Sequence, residues 1–245
     1  MVKFFSTSYA YDYNFSETAL AYFLRYPNPY SRHVASTDTI DRHYDPITQR
    51  LTTVRLHVKR SRLPPAVLKL LPKSSLSNAS EDGSTQSFIL EKSVVDVRQG
   101  WMETDSRNLD WNNVLSVIER HRYSRPEGAT ITATGDGRTD VDISVTLKSR
   151  IGEQIRKRRQ RWGQQATATS VIGAGGEDEQ PVKQGFLSSW TSGAVRSAIE
   201  TISLQRTEKS QPKAMKGMSV VLERLRTGGL EAVLEGMRAD REVVV

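Results

Sequence analysis

The stretch "RTDVDISVTLKS" constrains this chain most. Val141, Ile143, Val145 and Leu147 alternate with polar residues, a period of two that only a half-buried β-strand satisfies. The same reading runs through much of the chain. Phe4 to Tyr9 alternate as a first strand. "HVASTDTIDRHY" and "RLTTVRLHVK" are two strands joined by the turn "DPITQ", and "QSFILEKSVVDV", "GWMETDSRNLD" and "NVLSVIERHRYS" supply three more. One helix interrupts them early. In "NFSETALAYFLRYP", Asn14 or Ser16 can cap the helix, Asn14 and Glu17 having capping-box spacing, Leu20, Phe23 and Leu24 form the expected apolar stripe, and Pro27 stops the helix.

Beyond residue 148 the period changes. Val195, Ala198, Ile199 and Ile202, then Met218, Val221, Leu222 and Leu225, recur at helical spacing over 186–227. Pro212 is expected to kink or split this helix, and Gly228-Gly229 to end it before a short terminal helix, "LEAVLEGMRAD". Many antiparallel strands followed by one long helix predict an α+β domain, a curved sheet wrapped on that helix. If the helix does not fill the concavity, a cavity remains. The domain is expected to span 1–227, interrupted at 149–185 by a flexible basic and Gly-rich insertion, with 228–245 as a short helix and tail.

Composition narrows the chemistry. The 245 residues hold no cysteine, which removes disulfides, thiolate metal sites and cysteine nucleophiles. The formal net charge of +7 favours an anionic partner. No run approaches the roughly 18 apolar residues of a membrane span. The N-terminal "MVKFFSTSYAYDYNF" lacks both a secretory h-region and an Arg-rich presequence pattern. There is no nucleophile elbow, zinc-protease, phosphate-loop or dinucleotide fingerprint, so no enzyme, metal or cofactor is expected.

Several cations stand out. Arg25 ends the first helix, where it reads either as an inward-reaching arginine or as a surface residue favoured by the helix dipole. His33 opens a strand. Arg55, His57 and Lys59 share one strand face, solvated or concave, and Arg62 follows. Residues 61–73, "SRLPPAVLKLLPK", form an oily stretch between prolines, readable as a buried turn. The cluster "IRKRRQRW" reads as a solvated segment, as an anionic-lipid patch, or as a nucleic-acid arm with Trp162 for stacking.

"RYPNPYSRHV" at 25–34, with "DTI" at 38–40, "RLTTVRL" at 50–56, "RLP" at 62–64 and "RNLD" at 107–110, resembles the PRELI-like proteins. These carry phospholipids across the mitochondrial intermembrane space. The resemblance covers 1–148 and resumes near 193–227, and is closest to the phosphatidic-acid carriers, with the phosphatidylserine branch as the alternative. It implies a seven-stranded antiparallel sheet wrapped on the C-terminal helix around a lipid pocket. It implies headgroup binding by Arg25, His33, Arg55, Lys59, Arg62, Arg206 and Lys213, and a lid made by Leu63, Pro64, Val67, Leu68, Leu70 and Leu71. It also implies intermembrane-space localisation, contact with anionic membrane surfaces, and a small disulfide-bonded helical-hairpin partner protein. Ser210 and Pro212 depart from the family pattern. No nucleic acid is expected on this reading; a basic nucleic-acid-binding or adaptor protein using 150–162 is the alternative from another class. Arg25→Glu is expected to impair phosphate capture and leave the fold intact.

Overall fold

The computed structural model describes residues 2–62, 84–110, 112, 115–126, 137–149 and 192–242. The expected lid (Leu63, Pro64, Val67, Leu68, Leu70, Leu71), the insertion beyond Ser149 and its basic cluster lie outside the described residues. The elements are β1 (Val2–Tyr11), α1 (Phe15–Phe23), β2 (Val34–Asp45), β3 (Arg50–Arg62), β4 (Ser84–Asp96), β5 (Trp101–Asn108), β6 (Leu115–Ser124), β7 (Thr139–Ser149) and α2 (Ser192–Glu242). The strands form one antiparallel sheet in the order β1-β7-β6-β5-β4-β3-β2. The two ends of the chain's strand series thus meet: β7 pairs with β1, with Thr7 opposite Ile143. This is the α+β architecture expected from the periodicities.

One face of the sheet is buried against the helices. On β7 this face is apolar, with Val141, Ile143, Val145 and Leu147 all buried. They pack with Tyr11, Met102, Tyr123 and, from α2, Met218, Val221 and Leu222. On β3 and β4 the same face is polar. Thr53, Arg55 and His57 are buried, as are Glu91 and Ser93, while Val54, Leu56 and Val58 lie half-buried on the opposite face.

Arg55 and Glu91 are directly opposed across the β3–β4 ladder. Both Nε and Nη2 of Arg55 donate to Glu91 Oε1, at 2.9 and 2.5 Å, and Nη1 donates to the carbonyl of Phe23 at 3.0 Å. Arg25 Nη2 donates to Glu91 Oε2 at 2.5 Å, and the Tyr22 hydroxyl donates to the same oxygen at 2.7 Å. One carboxylate thereby ties the end of α1 to two strands. A buried ion is tolerated only when paired and hydrogen-bonded this fully.

α1 begins as expected, with the Asn14 side chain accepting from Glu17 N at 2.8 Å. Its buried face differs from the expected one. Phe15, Thr18, Ala19, Ala21 and Tyr22 point inward, Phe23 and Leu24 are half-buried, and Leu20 is 44% exposed. The small residues let the helix approach the sheet closely, and Tyr22 can be buried because Glu91 accepts from its hydroxyl. The following loop closes onto α2. Buried Asn28 donates to the carbonyl of Arg25 (2.5 Å) and accepts from Tyr30 N (2.9 Å), and its side chain rests against Gly217 of α2.

α2 continues through Pro212 without leaving helical geometry, contrary to the expected kink; the only non-helical residues inside it are Gly228 and Gly229. Pro212 and Glu208, whose carbonyl loses its partner, are both exposed, so water can satisfy that group. The glycine pair ends the long helix as expected, Gly229 adopting a φ of 64°. The segment after it folds back, with Val233 buried and Arg224 paired to Asp240 at 2.7 Å.

Two outcomes follow for stability. A Cβ on Gly217 would sit 2.6 Å from Asn28 Oδ1. Gly217→Ala therefore destabilises by about 1–3 kcal/mol despite the better helix propensity of Ala, measured by denaturant unfolding; a stabilised variant would contradict this packing. Glu91 has a carboxyl held well below 4.5: burial raises it, but Arg25, His57 and Arg55 together outweigh burial. Its contribution is complete above about pH 4.5 and is lost as pH falls through the depressed folded value. Glu91→Gln costs about 3–5 kcal/mol near neutral pH, and the gap to the unsubstituted protein narrows only in acid. A gap independent of pH down to acid unfolding would contradict the ionised pair.

Candidate functional site

A cavity of about 430 Å³ opens between the polar part of the sheet, the 24–33 loop and α2. This size is ordinary for a small-molecule site. Tyr9, Tyr11, Tyr22 and Tyr123 line it together with Ile89, Val117 and Met218. Burial pushes the hydroxyls of Tyr9, Tyr11, Tyr22 and Tyr123 upward, so they remain neutral donors.

Arg25, His33, Lys59, Arg206 and Lys213 all line the cavity, so the structure brings together five of the seven basic residues named from sequence. Arg25 is clamped between rings, its guanidinium carbon 3.6 Å from the Tyr22 centroid and 4.7 Å from that of Tyr26. Its Nη1 also donates to the Tyr22 carbonyl at 3.0 Å. Burial disfavours its charge, but Glu91 and the surrounding tyrosines outweigh that and raise its pKa well above the ordinary value, so it stays charged. The "RYPNPY" string thus builds a fixed mount for one cation: Tyr26 stacks, Asn28 holds the loop, and the peptide bond between Tyr26 and Pro27 is cis.

His33 is exposed as a whole residue, yet loss of hydration around its ring, with Lys59 and Lys213 nearby, lowers its pKa to about 4. All three groups line the same cavity. His33 is therefore neutral at physiological pH. Lys213 and Arg206 reach the cavity from one face of α2, as their spacing requires once Pro212 leaves the helix continuous.

Arg55 is the correction. It is not among the lining residues but lies behind them, committed to Glu91 and the Phe23 carbonyl. The inner face of β3 is accordingly the one carrying Arg55, His57 and Lys59, and the valines face outward. Arg62 lies at the end of β3, opposite Ser84; its side chain is outside the described residues.

Sequence reasoning missed the carboxylates. Glu91 is one; the other is Glu119, which also lines the cavity. Glu119 Oε1 is 2.8 Å from His121 Nε2 and accepts from Gln211 Nε2 at 3.0 Å. Burial raises its carboxyl, but His121, Lys59 and Gln211 bring it down to about 2, so it is ionised. The signal for Glu91 was available: Ile89, Glu91, Ser93 and Val95 share one strand face, and a lone carboxylate on a buried face needs a cation. His57 was seen only as part of a cationic face. It is buried, bonded to Thr37 Oγ1 at 2.9 Å and 3.3 Å from Glu91; desolvation, with Arg25 and Arg55 nearby, lowers its pKa despite Glu91.

The lining is therefore positive on balance, with Arg25, Lys59, Arg107, Arg206, Lys209 and Lys213 facing two carboxylates. Both carboxylates already hold partners. Such a site can take an anion and fix it by charge-assisted hydrogen bonds.

A sequence profile described as the PRELI-like family matches residues 17–167. "Protein UPS1, mitochondrial" of Saccharomyces cerevisiae is 33% identical over 158 residues, 64% of this chain and 83% of that protein. "Protein ups1 homolog" of Schizosaccharomyces pombe is 40% identical over 103 residues, 42% of this chain and 53% of that protein. "PRELI domain-containing protein 1, mitochondrial" of Mus musculus is 25% identical over 225 residues, 92% of this chain and 78% of that protein. With more than half of its length matched, including the 25–34 loop that mounts Arg25, this chain belongs to the PRELI-like family.

Proposed function

We propose that this protein is a mitochondrial phospholipid carrier that moves phosphatidic acid between the outer and inner membranes through the intermembrane space. One observation carries the choice of lipid. The cavity lining has a surplus of cations, and its two carboxylates are already engaged by Arg25 and Arg55 and by His121 and Gln211. A phosphate monoester finds several positive partners there. The ammonium of a serine headgroup finds no carboxylate without a partner among the described lining residues, which disfavours phosphatidylserine.

Carriage breaks no bond, so the residues bind and shield rather than catalyse. Arg25 supplies a pre-set charge whose geometry Glu91 and two rings fix in advance, so little order is lost on capture. Lys59 and Lys213, both within electrostatic reach of His33, complete the grip. Arg55 acts through Arg25 and Glu91. Removing acyl chains from water stabilises the loaded state by about 0.8 kcal/mol per methylene. The stretch 63–71 supplies that cover as a lid and meets the membrane interface with its oily side. A small disulfide-bonded helical-hairpin protein serves as partner in the intermembrane space. The names of the relatives in yeast and mouse, both marked mitochondrial, support the location.

The buried pairing also changes which substitution tests the reading. Arg25→Glu would set a second carboxylate against buried Glu91 and damage the fold, so it cannot report on capture alone. Exposed Lys213 is the better probe. Lys213→Glu is expected to slow phosphatidic acid transfer between donor and acceptor liposomes, partner present, by roughly tenfold or more, the loss of one charge-assisted bond, with thermal stability unchanged. Transfer of phosphatidic acid no faster than the protein-free blank would end the carrier reading; faster transfer of phosphatidylserine would end only the choice of lipid.

A second outcome concerns protonation. A bound phosphate beside His33 offsets the repulsion from Lys59 and Lys213, so loading raises its pKa from about 4. The His33 ring resonance followed by NMR against pH should shift its midpoint upward by more than about one unit when phosphatidic acid is loaded, a unit being about 1.4 kcal/mol. Because the bound value is the higher one, His33 favours loading increasingly as pH falls through it, and no further below about 4. An unmoved midpoint would remove His33 from the headgroup site.

A further inference from the structure

The end of the sheet remote from the cavity mouth carries a feature that cavity and carriage do not use. The β2–β3 turn and the β4–β5 turn lie side by side there: Arg50 is opposite Asp96, and Val97 N donates to the Gln49 carbonyl at 3.4 Å. Ile47 at the tip of the first turn is 89% exposed, Val97 on the second is 60% exposed, and Tyr44 beside them is 51% exposed. Trp101 is half-buried next to them, with the guanidinium carbons of Arg50 and Arg122 at 5.3 and 5.8 Å from its ring.

Both turns are held rigid from within. Asp45 accepts from Ile47 N at 2.9 Å and from the Thr48 hydroxyl at 2.6 Å, and Asp96 accepts from Gln99 N at 2.8 Å. The apolar tips are therefore presented in a fixed geometry. Two of the three local carboxylates are also paired with cations, Asp96 with Arg50 and Glu103 with Arg122, while Asp45 holds neutral donors and keeps its charge. Arg98 on the second turn, and Arg125 just after β6, whose N donates to the Gly100 carbonyl at 3.1 Å, have no carboxylate partner among the described residues.

We propose that these paired turns form a second docking surface, for an anionic lipid bilayer, at the opposite end of the sheet from the cavity mouth. A protein partner would require a broad complementary face of about 800 Å². Two narrow protruding tips offer no such face, but they suit a soft interface that accepts single apolar side chains. Tyr44 and Trp101 have the mixed character favoured at headgroup depth, and the uncompensated arginines match a negative surface. The run of β3 from Arg50 to Lys59 spans about 30 Å, so a protein docked by its turns holds the cavity mouth well clear of that membrane. The surface gives the protein a way to stay at a membrane without opening its cavity to it.

The chain has no cysteine, so Ile47→Cys admits one environment-sensitive fluorophore on the full-length protein. With vesicles of phosphatidylcholine containing phosphatidylglycerol, the emission should rise severalfold and be quenched by headgroup-level nitroxide lipid. It should stay flat with phosphatidylcholine alone and fall as salt is added. The double change Ile47→Asp with Val97→Asp should lower the co-sedimenting fraction at limiting lipid roughly tenfold, through loss of the two inserted side chains, and Arg98→Glu about fivefold or more through charge. These positions are exposed turn residues, so the fold tolerates the changes. A label that stays silent while the protein co-sediments overturns the proposal, as does failure to bind the anionic vesicles at all, or a signal that appears only with a second protein. Phosphatidic acid transfer by the same variants keeps the readings apart, since a responding label without transfer supports this surface and removes the carrier.

Discussion

A carboxylate inside a protein must be matched by cations, and Glu91 sets this condition for the whole site. Its two oxygens receive Arg55 from the neighbouring strand and Arg25 and Tyr22 from the end of α1. Any position of α1 that failed to deliver Arg25 would leave a buried charge underpaired, at a cost of several kcal/mol. The loop after α1, its closure on Gly217 of α2 and the placement of Lys59 farther along β3 all follow from where that helix end is pinned. The same arrangement explains why a cation can face a partly closed cavity: Arg25 meets the ligand side still charged, partly compensated from behind by the Glu91 it shares with Arg55, and clamped by rings.

The division of the interior is the second consequence. β7 and β1 give the helices an oily wall, and Met218, Val221 and Leu222 of α2 are buried on that side. β3 and β4 give a polar wall, which side chains do not fill. α2 spans both regimes. Its later half is packed, while Arg206, Lys209, Ser210 and Lys213 border the cavity. A helix with an unbroken apolar stripe would have closed the hollow; this one interrupts its stripe over 206–213, where it borders the cavity.

Much of the fold was legible because it depends on period. All seven strands follow from alternation or apolar runs, and the glycine pair ends the long helix where expected. Two local readings failed for reasons of context. Leu20 looks like core in a helical window, but Ala19, Ala21 and Thr18 take the inner face because a close helix–sheet approach prefers small residues. Pro212 looks like a break, but an exposed proline on a helix tethered at both sides costs only one water-replaceable bond. The site was half legible. Basic residues at 25, 33, 59, 206 and 213 could be named; that Arg55 supports rather than lines, and that Glu91 and Glu119 are inside, could not. Alternation divides a strand into two faces without saying which is inner, and on β3 the greasier face is the outer one.

The direct opposition of Arg55 and Glu91 across the β3–β4 ladder has a further meaning for how the sheet assembles. Inward–outward alternation restricts pairing only to steps of two: a shift of β3 by two residues would keep every side chain on its proper side. It would, however, set Thr53 or His57 against Glu91 and strand a guanidinium in the interior. Oil can select parity, but charged couples single out one alignment among those of equal parity, this one and Arg50 opposite Asp96 on the same ladder, so the ligand-facing walls are indexed by electrostatics before any ligand arrives.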